Sequence, residues 1–416
     1  VSSQVASLQT VRGTHDLLPD EACRHRRVEE IAFDIARRYG YGEIITPIFE
    51  FTEVFARNLG DTTDVVSKEM YTFTDRSGES LTLRPEGTAG VARSFISNGL
   101  SQNLPLKLFY RGPMFRYERP QKGRQRQFTQ LGIELLGVEG PQGDIEAIAL
   151  AAHILEALGL KDQVRLELNS LGDAESRLAY REALLAFLHA RKDRLSKDSL
   201  ERMERNPLRV LDSKDEGDKA VVADAPLMRD YLNESSRRFF DEVIHGLELV
   251  GVPVSLNDRL VRGLDYYCHT AFEFTTTALG AQGTVLAGGR YDGLISQMGG
   301  PATPGIGWGA GIERLSMLAN LAIAEQRPLT VIPMGDMDAA LALTQRLRKD
   351  GFAVDLGYSG NVKKRLVRAN KVKARAAIIL GEEEWSRQAV AVRDLDTGIQ
   401  EEVGLDVLED RLARFR

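Results

Sequence analysis

The chain has 416 residues, enough for about two to four domains, with 43% hydrophobic and 27% charged residues, ordinary values for globular proteins. No apolar run approaches the ~20 residues of a bilayer span, and the first twenty residues lack a signal-peptide pattern. Cys23 and Cys268 are too few and too far apart for a disulfide framework or a zinc cage. A soluble cytoplasmic protein without membrane contact is therefore expected, and a net charge of −6 leaves any RNA contact to local basic patches.

Val28, Ile31, Ala32, Ile35, Ala36 and Tyr39 recur at helical spacing and predict an amphipathic helix over 21–39, ended by Gly40 and Gly42. Residues 43–51 read as a strand interrupted by Pro47. Proline removes a ladder donor, so this strand belongs at a sheet edge or a subunit contact. Residues 70–75 and 80–84 predict a β-hairpin. Two longer strands follow at 106–118 and 125–136, separated by the turn 119–124. From 172 to 245 the chain is rich in Glu, Arg, Leu and Ala, with Leu178, Leu184, Leu185 and Leu188 at helical spacing, which reads as a helical insertion.

Strand patterns return at 266–276 and 284–287, before a helix over 310–322. A short polar stretch, 323–328, reads as a linker. Beyond it strand 329–333, helix 336–350, strand 352–356, helix 361–373 and strand 376–380 alternate as in a compact α/β domain. The expected domains are 1–325 and 326–416.

The strand around 128–134 carries the most chemical information. Alternation puts Phe128, Gln130 and Glu134 on one face with Gly132 between them, while Thr129, Leu131, Ile133 and Leu135 point the other way. Glycine inside a strand often marks the close approach of a ligand. A solvated outer face is the plainer alternative for this strand alone. Arg116 lies on the partner strand, and Arg124 and Arg126 flank the turn, in a set suited to phosphate oxygens. No G-x-x-x-x-G-K-[ST] loop occurs, so a nucleotide must be held by side chains on an antiparallel sheet.

The motifs agree with that arrangement. Gly112-Pro-Met-Phe-Arg-Tyr-Glu-Arg-Pro-Gln-Lys-Gly-Arg-Gln-Arg-Gln-Phe128 resembles the second signature motif of class II aminoacyl-tRNA synthetases in its histidine-specific form. Gly309-Ala-Gly-Ile-Glu-Arg314 resembles the third motif, and the Pro47 strand the first. Leu260-Val-Arg-Gly-Leu-Asp-Tyr-Tyr267, Ala287-Gly-Gly-Arg-Tyr-Asp-Gly-Leu294, Leu83-Arg-Pro-Glu-Gly-Thr88 and Arg12-Gly-Thr-His-Asp-Leu-Leu-Pro19 are similar to segments of the histidyl-tRNA synthetase family. The resemblance runs in order over nearly the whole chain.

It implies an α+β fold: a class II catalytic core on a mixed, mainly antiparallel sheet with a helical insertion, then a C-terminal α/β anticodon-binding domain. It implies a ligase that activates L-histidine with ATP and Mg2+ and loads it onto tRNA(His), working as a homodimer. The family pattern puts Arg116 on the α-phosphate, Arg124 toward the terminal phosphates, and Phe128 and Arg314 on opposite faces of adenine. Arg262 belongs between the α-phosphate and the substrate carboxylate, where other class II enzymes place a metal ion; no metal-binding residue is implied. Glu86, Thr88 and Gln130 surround the α-ammonium group, and Glu134 and Tyr267 face the imidazole, with Tyr291 nearby. Arg119 and Gln121 face the acceptor end of the RNA.

Plainer readings stand beside these. Arg262 alone could be a surface ion pair, Glu86 and Glu134 could pair with neighbouring arginines, and Tyr291 could simply pack. His15, His25, His153, His189 and His245 have no metal-ligand spacing. Cys268-His269 and Trp308 depart from the family pattern, which puts the packing behind the site in doubt rather than its chemistry. In the tail, Lys363, Lys364, Arg365, Arg368, Lys371, Lys373 and Arg375 occur without an acidic residue and suit a phosphate backbone, although such a run is often only a solvated helix face. A regulatory protein similar to the synthetase-like subunit of ATP phosphoribosyltransferase is the main alternative; such relatives lack the tail and lose the ATP-binding arginines.

Overall fold

Helix α1 (Pro19–Arg38) follows from its own spacing. In the computed structural model, which describes residues 8–59, 65–121, 123–211, 213–261, 266–280, 283–322 and 327–416, it buries Val28, Ala32, Ile35 and Ala36. Proline in its first turn, acidic Asp20 and Glu21 beside it, and Arg37 and Arg38 at the far end all suit the helix geometry and dipole.

The expected strand around Pro47 is two strands in two sheets. Strand β1 (Gly42–Glu43) pairs with one sheet, and β2 (Phe49–Phe51), followed by α2 (Glu53–Leu59), with another. Pro47 lies between them, where the missing N–H costs no ladder bond. The small sheet runs β2-β4-β3, with β3 (Tyr71–Thr74) and β4 (Ser80–Leu83) forming the expected hairpin. Helix α3 (Thr88–Ser97) follows it.

The chain divides into two compact units, Val1–Ala322 and Ile323–Arg416. The first is built on an eight-stranded sheet. Its members are β1, β5 (Leu106–Phe115), β6 (Gln127–Leu136), β7 (Arg165–Ser170), β8 (Val254–Leu256), β9 (Cys268–Thr275), β10 (Thr284–Arg290) and β11 (Gly305–Gly311). The order is β1-β5-β6-β11-β10-β9-β7-β8, parallel only in the two outermost pairs, which matches the mixed, mainly antiparallel expectation. Helix α4 (Gln142–Ala157) joins α1 against one face, where Leu131, Ile133 and Leu135 of β6 are buried. The opposite face of β6 is free to carry a site.

The insertion consists of α5 (Ala174–His189), α6 (Lys197–Met203), α7 (Glu216–Val222) and α8 (Glu234–Leu249). Side chains of Asp173, Ser196, Asp215 and Asn233 cap their N-termini, satisfying first-turn donors. Tyr180, Leu184, Leu188 and Val221 belong to a separate core, while Leu178 points to solvent. Helix α8 runs past residue 245 because Val243 and Leu247 are held in the main core. After the short α9 (Leu294–Gln297), helix α10 (Ile312–Leu318) is shorter than the expected 310–322, since residues 310 and 311 complete β11.

The second unit has strands β12 (Leu329–Pro333), β13 (Val354–Leu356), β14 (Ala376–Leu380), β15 (Ala389–Asp394) and β16 (Gln400–Gly404), ordered β13-β12-β14-β15-β16. Its helices are α11 (Met337–Lys349), α12 (Val362–Lys371), α13 (Glu382–Ser386) and α14 (Leu408–Leu412). The expected alternation accounts for the parallel half. The antiparallel strands β15 and β16 were not foreseen. Among the described residues, no helix is long and apolar enough to cross a membrane.

Candidate active site

Register builds the site. Strand β6 pairs Gln130 with Gly112, Gly132 with Tyr110 and Glu134 with Leu108 on β5. On its other side the same residues meet Gly311, Gly309 and Gly307 of β11. Paired residues share a face, so the long side chains of β6 stand beside a row of glycines. That leaves a cavity of about 330 Å³ over the middle of the sheet.

Eight of the sequence-predicted residues line it: Glu86, Thr88, Arg116, Arg124, Phe128, Gln130, Tyr267 and Arg314. Glu134 and Tyr291 lie beneath, both inaccessible to solvent, with the Tyr291 hydroxyl donating to the Glu134 carboxylate. Tyr291 therefore does more than pack. Arg262 lies outside the described residues. Arg119 and Gln121 are exposed on the turn, where the Gln121 and Arg124 backbones exchange hydrogen bonds of 3.0 and 2.9 Å. Arg126 does not enter the cavity; it stacks over Tyr117, 3.9 Å from the ring centre.

The mouth of the cavity is cationic. Arg116 donates through Nε to the Pro85 carbonyl at 2.8 Å and lies over the Phe128 ring at 5.4 Å. Arg314 donates to the carbonyls of Gly123 (3.0 Å) and Thr284 (2.6 Å). These bonds fix the guanidiniums in place. Burial, then Arg124 and Arg116, push the Arg314 pKa down, the mark of cations crowded in a partly dry space. Glu118 is the counter-charge: it pairs with Arg124 and lies 4.0 Å from Arg116.

The floor is acidic. Glu86 accepts from the backbone N–H groups of Thr88 (2.7 Å) and Ala89 (2.8 Å), so it caps the start of α3 instead of pairing with an arginine. The Thr88 hydroxyl is also within hydrogen-bonding reach of Glu86, so of a carboxylate's about four acceptor sites about one is left for a ligand. Burial raises the pKa of Glu86 and lifts that of Glu134 to about 8, despite the Tyr291 hydrogen bond. The Thr88 hydroxyl is also within hydrogen-bonding reach of Glu134.

Sequence reasoning missed Tyr110, Glu118, Tyr266 and Glu313, all of which line the cavity. Tyr110 was recoverable by counting across the turn, which puts it opposite Gly132. The space left by Gly132 is filled by that tyrosine and not by a ligand: a Cβ there would lie 2.4 Å from the Tyr110 hydroxyl oxygen. Of the departures from the family pattern, Trp308 is buried and donates through Nε1 to the Ala147 carbonyl at 2.9 Å. Burial pushes the Cys268 thiol up to about 12, so it stays protonated at neutral pH, and His269 packs on Phe239 with ring centres 4.8 Å apart. Among the described residues no three His, Cys, Asp or Glu side chains converge as a metal site would require.

Comparison with known proteins gives the same reading along the whole chain. The family model for histidyl-tRNA synthetase matches residues 13–315, and that for an anticodon binding domain matches residues 329–414. The histidine–tRNA ligase of Rhodospirillum rubrum is 66% identical over 414 residues, 99% of this chain and 100% of the relative. That of Gluconacetobacter diazotrophicus is 57% identical over 411 residues, 98% and 99% of the two chains. The crystal structure of the apo histidyl-tRNA synthetase of S. aureus superposes with a TM-score of 0.83 at 36% identity, covering 97% of this chain and 99% of that one.

Proposed function

The chain belongs to the histidyl-tRNA synthetase family, and from that premise we propose that its cavity activates L-histidine with ATP and loads the product onto tRNA(His). The observation that carries this reading is one cavity with arginines at its mouth and carboxylates in its floor. A triphosphate is anionic; histidine brings an α-ammonium and a ring that donates at one nitrogen and accepts at the other. The two ends suit the two substrates.

In the first step a histidine carboxylate oxygen attacks the α-phosphorus of ATP, and the bond to the pyrophosphate oxygen breaks. No protein nucleophile is needed. Catalysis consists of aligning two anions and stabilising the charge that develops. Arg116 serves the α-phosphate, Arg262 bridges it to the histidine carboxylate, and Arg124 takes the terminal phosphates. Phe128 and Arg314 hold adenine between them. Glu86, Thr88 and Gln130 receive the ammonium group, and Glu134, Tyr267 and Tyr291 the imidazole. In the second step a hydroxyl at the 3′ end of the tRNA attacks the activated carbonyl and AMP leaves, with Arg119 and Gln121 beside the acceptor end.

Magnesium, accompanying ATP, would neutralise part of the phosphate charge. Glu313, which lines the cavity with a buried Oε2 that accepts no hydrogen bond, would hold it. In the second unit Lys363, Lys364 and Arg368 of α12 present positive charge for the distal arm of the RNA. Ile45, Ile48, Phe49, Phe51 and Phe73 form an exposed apolar stripe around the Pro47 strands, the surface for a second copy of the chain. The cytoplasm, where its substrates meet, is the compartment this activity requires.

The test is ATP–pyrophosphate exchange by the purified protein. Exchange that depends on histidine, and on no other amino acid, is the expected result. Exchange absent with histidine overturns the reading.

A further inference from the structure

Tyr110 has no part in the chemistry described so far, yet it lines the cavity alongside Glu86, Thr88 and Gln130. Its ring is wedged against two glycines. A Cβ on Gly87 would stand 2.2 Å from the ring, and one on Gly132 would stand 2.4 Å from the phenol oxygen. The side chain is 5% exposed and cannot leave this slot without moving α3 or β6. Its hydroxyl donates to Gln130 Oε1 at 3.3 Å and lies within hydrogen-bonding reach of the Thr88 hydroxyl.

A primary amide has an acceptor end and a donor end of nearly the same shape, and its neighbours decide which faces where. The carboxylates Glu86 and Glu134 share this floor. Left alone, they favour turning the amide's NH2 end toward themselves, which would present a donor to the ligand's ammonium group. A phenol O–H pointing at Oε1 opposes that rotation. It fixes the oxygen in place and leaves a second lone pair for a cation. Burial, with Glu134 and Glu86 next, holds the Tyr110 pKa well above its ordinary value, so the hydroxyl stays a donor through the neutral range.

We propose that Tyr110 is a positioning residue for amino acid selection: it locks the Gln130 amide with its oxygen toward the substrate's α-ammonium group. This rests on the reading of the cavity as a histidine site. Tyr110 touches no reacting atom, so its effect is confined to ligands that carry the ammonium.

Two histidine analogues separate this role from that of a mere wall. L-histidinol keeps the ammonium and the imidazole but has no carboxylate. Imidazolepropionate keeps the carboxylate and the imidazole but has no ammonium. Tyr110→Phe preserves the ring in its slot and removes only the hydroxyl. The expected result is inhibition by histidinol weakened about fivefold to tenfold, the size of one neutral hydrogen bond. Inhibition by imidazolepropionate and KM for ATP should be unchanged.

Gln130→Leu alone should reproduce this discrimination, and Tyr110→Phe should add nothing in the Gln130→Leu background. Equal weakening of both analogues by Tyr110→Phe, or of neither, overturns the proposal. Should Tyr110→Phe lower the thermal midpoint too far to assay, Gln130→Leu still decides: equal loss of both analogues overturns it. An unmodified protein without histidine-dependent exchange would instead defeat the reading of the site, a separate outcome.

Discussion

Two cationic regions of the chain hold their charge differently. In the cavity, Arg116 and Arg314 are half-buried and pinned by backbone carbonyls, and Glu118 pairs with Arg124 and lies 4.0 Å from Arg116. On α12, Lys363 and Lys364 are exposed and have no ionic partner among the described residues. The arginines there are already committed: Arg368 to Asp355 at 3.0 Å, and Arg365 to the Pro333 carbonyl. The difference is one of dielectric and entropy. A fixed guanidinium in a partly dry cavity acts at full strength on charge that develops beside it. A lysine on a wet helix attracts phosphate weakly and in many geometries.

The largest effect should come from the pinned set. Arg116→Ala should slow pyrophosphate exchange by about 10²–10³, the cost of one lost transition-state contact. Inhibition by histidinol, read at the other end of the cavity, should change little. The loss should persist as salt rises from about 0.1 to about 1 M, because a buried contact escapes a Debye length that falls from about 10 to about 3 Å. A loss that disappears at high salt would put Arg116 in the same class as the lysines of α12.

The floor sharpens the contrast from the side of stability. Glu134 is buried with a tyrosine hydroxyl as its partner, and its pKa rises from 4.5 to about 8, chiefly through burial. A raised carboxyl pKa means that the folded state prefers the protonated form. Its stabilising share is complete below about pH 4.5 and is lost as pH climbs through about 8. The slope approaches about 1.4 kcal/mol per pH unit inside that window. Glu134→Gln should remove it, so the variant should gain on the unsubstituted protein as pH rises from 5 to 8 in thermal melts without histidine. Parallel melting curves would mean that a cation already compensates the carboxylate.

Much of this architecture could be read from residue spacing. Period-two alternation on β6 separated core from cavity correctly, because a sheet with helices on one side enforces it. Pro47 marked a strand edge, but its consequence, a division between two sheets, depends on long-range pairing that a local pattern does not contain. Tyr110 and Glu118 lie inside stretches rich in recognisable features and were still overlooked. A tyrosine on a strand looks like core until the opposite position is known to be glycine, and a glutamate among arginines looks like surface. Strand β16 carries too little apolar alternation at 400–404 to stand out as a sheet edge, and without it β15 has no visible partner.

The smallest effect belongs to α12, and it is the one that salt should reveal. Asn361 caps this helix by accepting from the Lys364 N–H at 3.1 Å, so Lys363 and Lys364 sit in its first turn, where the helix dipole adds to their positive field. A cation there weakens the helix, and that makes these lysines candidates for binding rather than for folding. Each phosphate contact contributes about one unit to the slope of log affinity against log salt. Lys363→Ala and Lys364→Ala should each raise KM for tRNA by only a few-fold near physiological salt, about 1 kcal/mol or less. Each should also reduce the salt slope by about one unit, while pyrophosphate exchange stays unchanged. Arg368→Ala should have a smaller effect on the slope, because its charge is already shared with Asp355 at 3.0 and 3.1 Å. If Arg368→Ala changes the slope as much as either lysine, the pair opens on binding, and the arginine belongs with the free cations. If neither lysine changes the slope, the basic run on α12 is a solvated helix face and the RNA is held elsewhere on this unit.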